Sequence, residues 1–219
     1  ANPTGSALSR EELAALSAEV RRRQGYLVVD EIYHGLGYDT ATPSVLEVDD
    51  DAFVINSFSK YFGMTGWRLG WLVAPEAAVE EMEKLAQNLF ISLSTMGQYA
   101  ALAGFDPGTR EILEERREIF HQRRDFLLPA VQALGFTVPC KPQGAFYIYA
   151  DASAFTDDSQ AFCMQLLEEN GVALTPGLDF GHHLANQHLR FSYTTSMDRL
   201  ELAVERLAKV LGSGRRDAV

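Results

Sequence analysis

Residues 57–70 read Ser-Phe-Ser-Lys-Tyr-Phe-Gly-Met-Thr-Gly-Trp-Arg-Leu-Gly and form the most informative stretch of this chain. Lys60 follows an apolar run, Ala52 to Ile55, that ends in Asn56 and Ser57. A lysine at the end of a strand can act as a nucleophile toward a carbonyl. Ser57, Ser59 and Arg68 around it suit a phosphate, to which an arginine gives two parallel hydrogen bonds. Gly63, Gly66 and Gly70 let the backbone turn sharply or approach a ligand. The spacing matches neither a nucleotide P-loop nor a dinucleotide fingerprint. The same stretch also reads as a glycine-rich turn carrying solvated charges. A second strand end carries an acid: Asp30 follows Tyr26-Leu27-Val28-Val29 and is expected to be partly buried, where a carboxylate needs a cation or donors. A helix cap or a surface turn is the plainer role for a lone aspartate.

The elements that must position these residues follow from patterning. Ser9-Arg10-Glu11-Glu12 is a capping box that starts a helix, which runs to about Gln24 and stops at Gly25. Residues 26–29 read as a buried parallel strand. Strands follow over 52–56 and 69–74, then a helix from Pro75 to about Leu89. Residues 91–95 read as a loop. Asp106-Pro107 opens a long helix to about Leu134, which Pro129 is expected to kink or end. Beyond it come strands at 145–149, 172–174 and 189–193, a helix from Ser159 closed by Asn170-Gly171, an amphipathic helix from Met197 to Leu211, and a frayed tail. Helices and strands interleave throughout, which is α/β organisation. The domain boundary is expected near residue 118, giving domains 1–118 and 119–219.

Composition excludes several classes of function. The 219 residues are 47% hydrophobic and 22% charged, an ordinary globular balance rather than a disordered one. A net charge of −11 argues against a nucleic-acid binder. No apolar run approaches the roughly 20 residues of a membrane-spanning helix. Cys140 and Cys163 make neither a disulfide framework nor a zinc spacing. His182, His183 and His188 lack supporting ligands, so no metal is expected.

Four anchors, in order, resemble the class I/II aminotransferases of the pyridoxal-phosphate fold-type I group: Asn2-Pro3-Thr4-Gly5, Asp30-Glu31-Ile32-Tyr33, the block from Ser57 to Gly70, and His188-Leu189-Arg190-Phe191-Ser192-Tyr193. The lysine block matches that family's cofactor-attachment motif throughout, and the likeness covers nearly the whole chain. It implies a large domain with a mixed, mostly parallel sheet and a smaller C-terminal α+β domain. It implies pyridoxal 5'-phosphate as cofactor, and transfer of an amino group between an α-amino acid and a 2-oxo acid. Lys60 would form the Schiff base and shuttle the proton, and Asp30 would pair with the pyridine nitrogen. Tyr33, helped by Asn2, would donate to the ring's phenolic oxygen. Ser57 and Arg68, with Ser59, would hold the phosphate, and Arg190 the substrate α-carboxylate.

The resemblance also implies a cytoplasmic homodimer that binds neither nucleic acid nor membrane, with residues 91–95 near the neighbouring subunit. Family members carry a long segment before the Asn-Pro-Thr-Gly motif. The expectation is therefore a C-terminal portion with an incomplete sheet, exposed edges that invite self-association, and little turnover alone. A lyase or synthase on the same core, or the sensor domain of a transcription regulator, are the alternatives. The wording Met64-Thr65-Gly66-Trp67-Arg68 resembles the enzymes rather than the regulators.

Overall fold

The computed structural model describes residues 1–39 and 42–212; of the expected tail from Gly212 onward only Gly212 is described, and it closes the last helix. The chain divides into two units, Ala7–Arg117 and a second formed by Ala1–Ser6 with Glu118–Val219. The sequence reading places Ala1–Ser6 in the first domain. It belongs instead to the second unit, because the Gly5 carbonyl accepts the N–H groups of Gln143 at 2.9 Å and Gly144 at 3.1 Å.

In the unit Ala7–Arg117, helix α1 (Arg10–Arg22) starts at the capping box. The Glu12 N–H donates to Ser9 Oγ at 3.2 Å, and the Ser9 N–H donates to Glu12 Oε2 at 2.8 Å. The left-handed residue after the helix is Gln24, with φ of 56°, and not Gly25. Strands β1 (Val28–Asp30), β2 (Phe53–Ser57) and β3 (Gly70–Val73) form one sheet in that order. β1 pairs parallel with β2, and β2 pairs antiparallel with β3. These three strands are therefore mixed, with one pair of each kind.

β1 is an edge strand of this sheet and not the buried strand expected. Leu27 and Val29 pack against the buried cluster of Leu13, Val45, Ala52 and Val54. Val28 points the other way and is 56% exposed, as the two-residue period of a strand requires. Helix α2 (Glu76–Leu89) follows Pro75. Residues 91–94 form the expected loop, and helix α3 (Thr95–Leu102), which the sequence reading does not assign, follows it, its start capped by Ser94 Oγ, which accepts the Gly97 N–H at 3.3 Å. Helix α4 (Pro107–Ala133) contains Pro129 and continues past it, and the division between the units falls within it.

The second unit carries an antiparallel sheet in the order β4 (Tyr147–Asp151), β6 (His188–Ser192), β5 (Thr175–Pro176). Helices α5 (Ser159–Asn170) and α6 (Met197–Gly212) accompany it. Phe136 sits in the core between Phe155 at 4.8 Å and Phe191 at 5.3 Å. Gly171 ends α5 in the left-handed region as expected, with φ of 64°. β5 begins later than the expected 172–174, because the Val172 N–H closes the helix end on Leu166 O at 3.0 Å and is not available to a sheet.

Candidate active site

Two strand ends and the turns after them build the site in the unit Ala7–Arg117. β2 leads into the stretch Ser57 to Leu69, which closes on itself: the Phe58 N–H donates to Leu69 O at 3.1 Å, and the Met64 N–H to Phe58 O at 2.9 Å. Phe58 and Leu69 are buried together with Ala101, and Phe62 and Met64 pack on them, which anchors the loop from below. Lys60 lies inside this closed loop, with the Gly63 N–H donating to its carbonyl at 3.1 Å.

The hydroxyls and the guanidinium of the stretch line up along the same loop. Ser57 Oγ accepts the Ser59 N–H at 3.1 Å, Thr65 Oγ1 donates to Ser59 O at 2.8 Å, and Arg68 Nη1 donates to Thr65 O at 2.9 Å. Arg68 is exposed and has φ of 53°, a left-handed conformation that costs a side-chain-bearing residue energy. Gly70 is required where it stands: a Cβ there would lie 2.7 Å from Asn56 O and 3.1 Å from Ser57 Cβ.

β1 ends in Asp30, which pairs in register with Ile55 of β2. Asp30 Oδ1 accepts the Ile32 N–H at 2.9 Å, and the side chain is exposed, not partly buried as expected. The buried acid is its neighbour. Glu31 is 5% exposed; its Oε1 accepts Ser44 Oγ at 3.0 Å and the Val45 N–H at 2.8 Å, and its Oε2 lies 3.2 Å from His34 Nδ1. Burial pushes the His34 imidazole below its usual pKa, against the opposite pull of Glu31. This pinned turn presents Tyr33, and Lys60 Nζ lies 5.7 Å from the centroid of the Tyr33 ring. The two strand-end motifs therefore meet.

Beside them lies a cavity of about 450 Å³ lined by His34, Asn56, Ser57, Tyr61, Trp71 and three phenylalanines. Of the residues singled out in the sequence, Ser57 lines it. Burial, then the hydrogen bond to Glu114 at 2.6 Å, pushes the Tyr61 phenol up to about 12.

In the second unit, Arg190 sits in the middle of the central strand, in register with Tyr149 on one side and Thr175 on the other. Its Nη1 donates to Asn2 Oδ1 at 2.8 Å and its Nη2 to Thr175 Oγ1 at 3.2 Å. The guanidinium carbon lies 4.2 Å from the Tyr147 ring centroid and 4.8 Å from that of Phe180. Such cation–ring contacts fix the plane of the group. Its Nε is buried without a hydrogen-bond partner among the described residues. A braced, planar fork of this kind suits a carboxylate. Tyr147, Thr175 and Phe180 are the residues around Arg190 that the sequence did not single out. Each lies on a strand or turn whose pairing partner is unreadable from local pattern.

Among the described residues no group of three or more histidine, cysteine or acidic side chains is placed to hold a metal ion. No described helix is long and apolar enough to cross a membrane.

Residues 1–207 match the family model described as aminotransferase class I and II. The chain belongs to that family. It is 38% identical over 215 residues to the valine–pyruvate aminotransferase of Mycobacterium tuberculosis, covering 97% of this chain and 55% of that protein. It is 40% identical over 222 residues to the aspartate aminotransferase of Geobacillus stearothermophilus, covering 96% and 55%. Its fold superposes on the crystal structure of an aminotransferase from Mycobacterium tuberculosis with a TM-score of 0.93 at 37% identity, covering 97% of this chain and 55% of that one. A Thermus thermophilus aspartate aminotransferase variant gives 0.89 at 37%, covering 96% and 55%. The chain thus spans about half the length of the relatives it matches.

Proposed function

We infer that this chain carries the reactive lysine, ring acid and carboxylate arginine of an aminotransferase that uses pyridoxal 5'-phosphate to move an amino group between an α-amino acid and a 2-oxo acid. The observation that carries the reading is the approach of Lys60 Nζ to the Tyr33 ring, at 5.7 Å, which joins two motifs that are separate in sequence. The donor set fits the cofactor. An amine stands beside a phenol, two serine hydroxyls and a guanidinium follow one glycine-opened loop, and a carboxylate ends the adjacent strand.

When bound, the cofactor supplies an aldehyde and an electron-withdrawing pyridinium ring. Lys60 supplies the amine that holds the aldehyde and then carries a proton at the substrate α-carbon. Asp30 keeps a proton on the ring nitrogen. Tyr33 donates to the phenolic oxygen, and Ser57, Ser59 and Arg68 hold the phosphate. Arg190, with Asn2 on one prong, takes the substrate α-carboxylate in a bidentate contact. In this reading, the unit 7–117 belongs to the cofactor-binding domain and the other unit to the smaller substrate-closing domain. The protein works as a homodimer.

The test is chemical trapping. Protein incubated with pyridoxal phosphate and reduced with borohydride is digested and weighed by mass spectrometry. A pyridoxyl group on the Lys60 peptide, absent in Lys60→Ala, is expected. Attachment elsewhere, or transamination retained in Lys60→Ala, overturns the reading.

A further inference from the structure

Arg124 is the most deeply buried charge among the described residues, 1% exposed, and none of the roles above uses it. Its Nη1 donates to the Pro142 carbonyl at 2.9 Å. Its Nε donates to Asp125 Oδ1 at 2.8 Å, and its Nη2 lies 2.7 Å from the same oxygen. A buried ion is a poor device for stability, since an apolar side chain of equal volume often serves as well. The rigid fork of an arginine serves where a carbonyl must be held in one place.

The carbonyl it holds begins the stretch on which the first residues are seated. The Gln143 and Gly144 N–H groups donate to Gly5 O at 2.9 and 3.1 Å, and the Gly5 N–H donates to Ala1 O at 2.8 Å. The seat is tight: a Cβ on Gly5, whose φ is 68°, would lie 2.7 Å from Pro142 Cβ and 3.0 Å from Gly144 O. Asn2 stands in the segment so fixed, and its amide oxygen accepts Arg190 Nη1 at 2.8 Å. The path from Arg124 to Arg190 therefore runs through the Pro142 carbonyl, the amides of residues 143 and 144, Gly5 and the chain from Gly5 back to Asn2. Asn2 itself is exposed.

We propose that Arg124 is a positioning residue: by fixing the 142–144 stretch it fixes Asn2, and through Asn2 the angle at which Arg190 presents its fork to a carboxylate. The inference rests on the reading of Arg190 as the carboxylate clamp. Arg124→Met keeps the bulk and removes the fork. It is expected to raise KM for both amino donor and 2-oxo acid about tenfold, with kcat within about threefold, because a ground-state and transition-state contact weakens alike. Arg124→Lys recovers part of the loss. Gly5→Ala reaches the same segment from its other side and produces the same split.

In the cofactor-free protein, hydrogen exchange at the Gln143 and Gly144 amides is expected to speed about tenfold in Arg124→Met, with the α6 amides unchanged. A protein that takes no cofactor at Lys60 fails the functional reading, and the exchange data still decide the role of Arg124. If Arg124→Met does not fold, Gly5→Ala decides. Unchanged exchange at the two amides, a kcat loss at constant KM, or an unaltered KM in Gly5→Ala overturns the proposal.

Discussion

Removing the Glu31 carboxylate tests how the turn carrying Asp30 and Tyr33 is held. Three groups converge on that side chain: Ser44 Oγ, the Val45 N–H and His34 Nδ1. Val45 is fully buried, so in Glu31→Ala its N–H loses its acceptor where water cannot replace it, at about 1–3 kcal/mol. The Ser44 hydroxyl is half-buried and adds about 1 kcal/mol. The His34 contact is partly exposed and counts for about 0.5 kcal/mol or less. The sum is about 2–4 kcal/mol for Glu31→Ala. Glu31→Gln keeps an acceptor oxygen for Ser44 and Val45 and loses the charge, so about 1 kcal/mol is expected.

Urea denaturation followed by tryptophan fluorescence measures both. Trp67 and Trp71 are the two tryptophans of the chain and lie in the same unit as Glu31, so the signal reports that unit. A lower midpoint at unchanged m is expected, larger for alanine than for glutamine. Pyridoxal phosphate affinity should fall with the alanine variant, because Asp30 and Tyr33 flank the loosened residue. A cost under about 0.5 kcal/mol for alanine, or glutamine as damaging as alanine, refutes the account.

Three further outcomes follow from the same geometry. The His34 value is depressed in the fold, so the unfolded chain takes up the proton first; stability is full above the ordinary histidine value of about 6.5 and falls as pH drops through it toward the folded value, and urea midpoints against pH should flatten there in His34→Gln. Gly70→Ala puts a methyl 2.7 Å from Asn56 O, so β2 and β3 must separate at Ser57; a loss of about 1–3 kcal/mol in the urea assay, with weaker cofactor binding, is expected, and a neutral variant contradicts the close approach. Arg68→Gly relieves a left-handed residue and should leave the cofactor-free protein as stable or up to about 1 kcal/mol more stable, while calorimetric affinity for pyridoxal phosphate falls about tenfold or more; retained affinity removes Arg68 from the phosphate site.

Helix ends were the most legible feature because their chemistry is local. Ser9 and Glu12 lie three residues apart and satisfy each other's orphan groups, so the start of α1 needs no partner elsewhere. The same signature at Ser44 and Glu47 starts a short 3₁₀ turn, and it went unread because no apolar period follows it. Burial was less legible. The run Tyr26 to Val29 is apolar, yet it alternates between the core and an open side, because Leu27 and Val29 pack on the cluster of Leu13, Val45, Ala52 and Val54 while Val28 faces away from it. A strand's neighbours, not its composition, decide which of its faces is covered. The run Val172 to Leu174 failed as a strand for a related reason: its first N–H was already committed to the end of α5.

The site divides along the same line. Lys60, its serines and Arg68 were legible from spacing because one continuous loop carries them all. Asp30 was placed correctly at a strand end, and its burial was assigned to the wrong acid of the pair Asp30-Glu31. Alternation along an edge strand points one of two consecutive acids inward, and composition does not say which. Arg190 lay beyond any local rule. Its partners Asn2, Tyr147, Thr175 and Phe180 come from four separate segments, and its own strand reads as an ordinary one. Where the local rules break, as at the left-handed Arg68 and the partnerless Nε of Arg190, the surrounding contacts hold the exception in place. A fold keeps such exceptions where a group must be ready before its ligand arrives. Arg68 and Arg190 each carry one such exception, and they are the two arginines whose place in the motifs assigns them to the phosphate and the carboxylate.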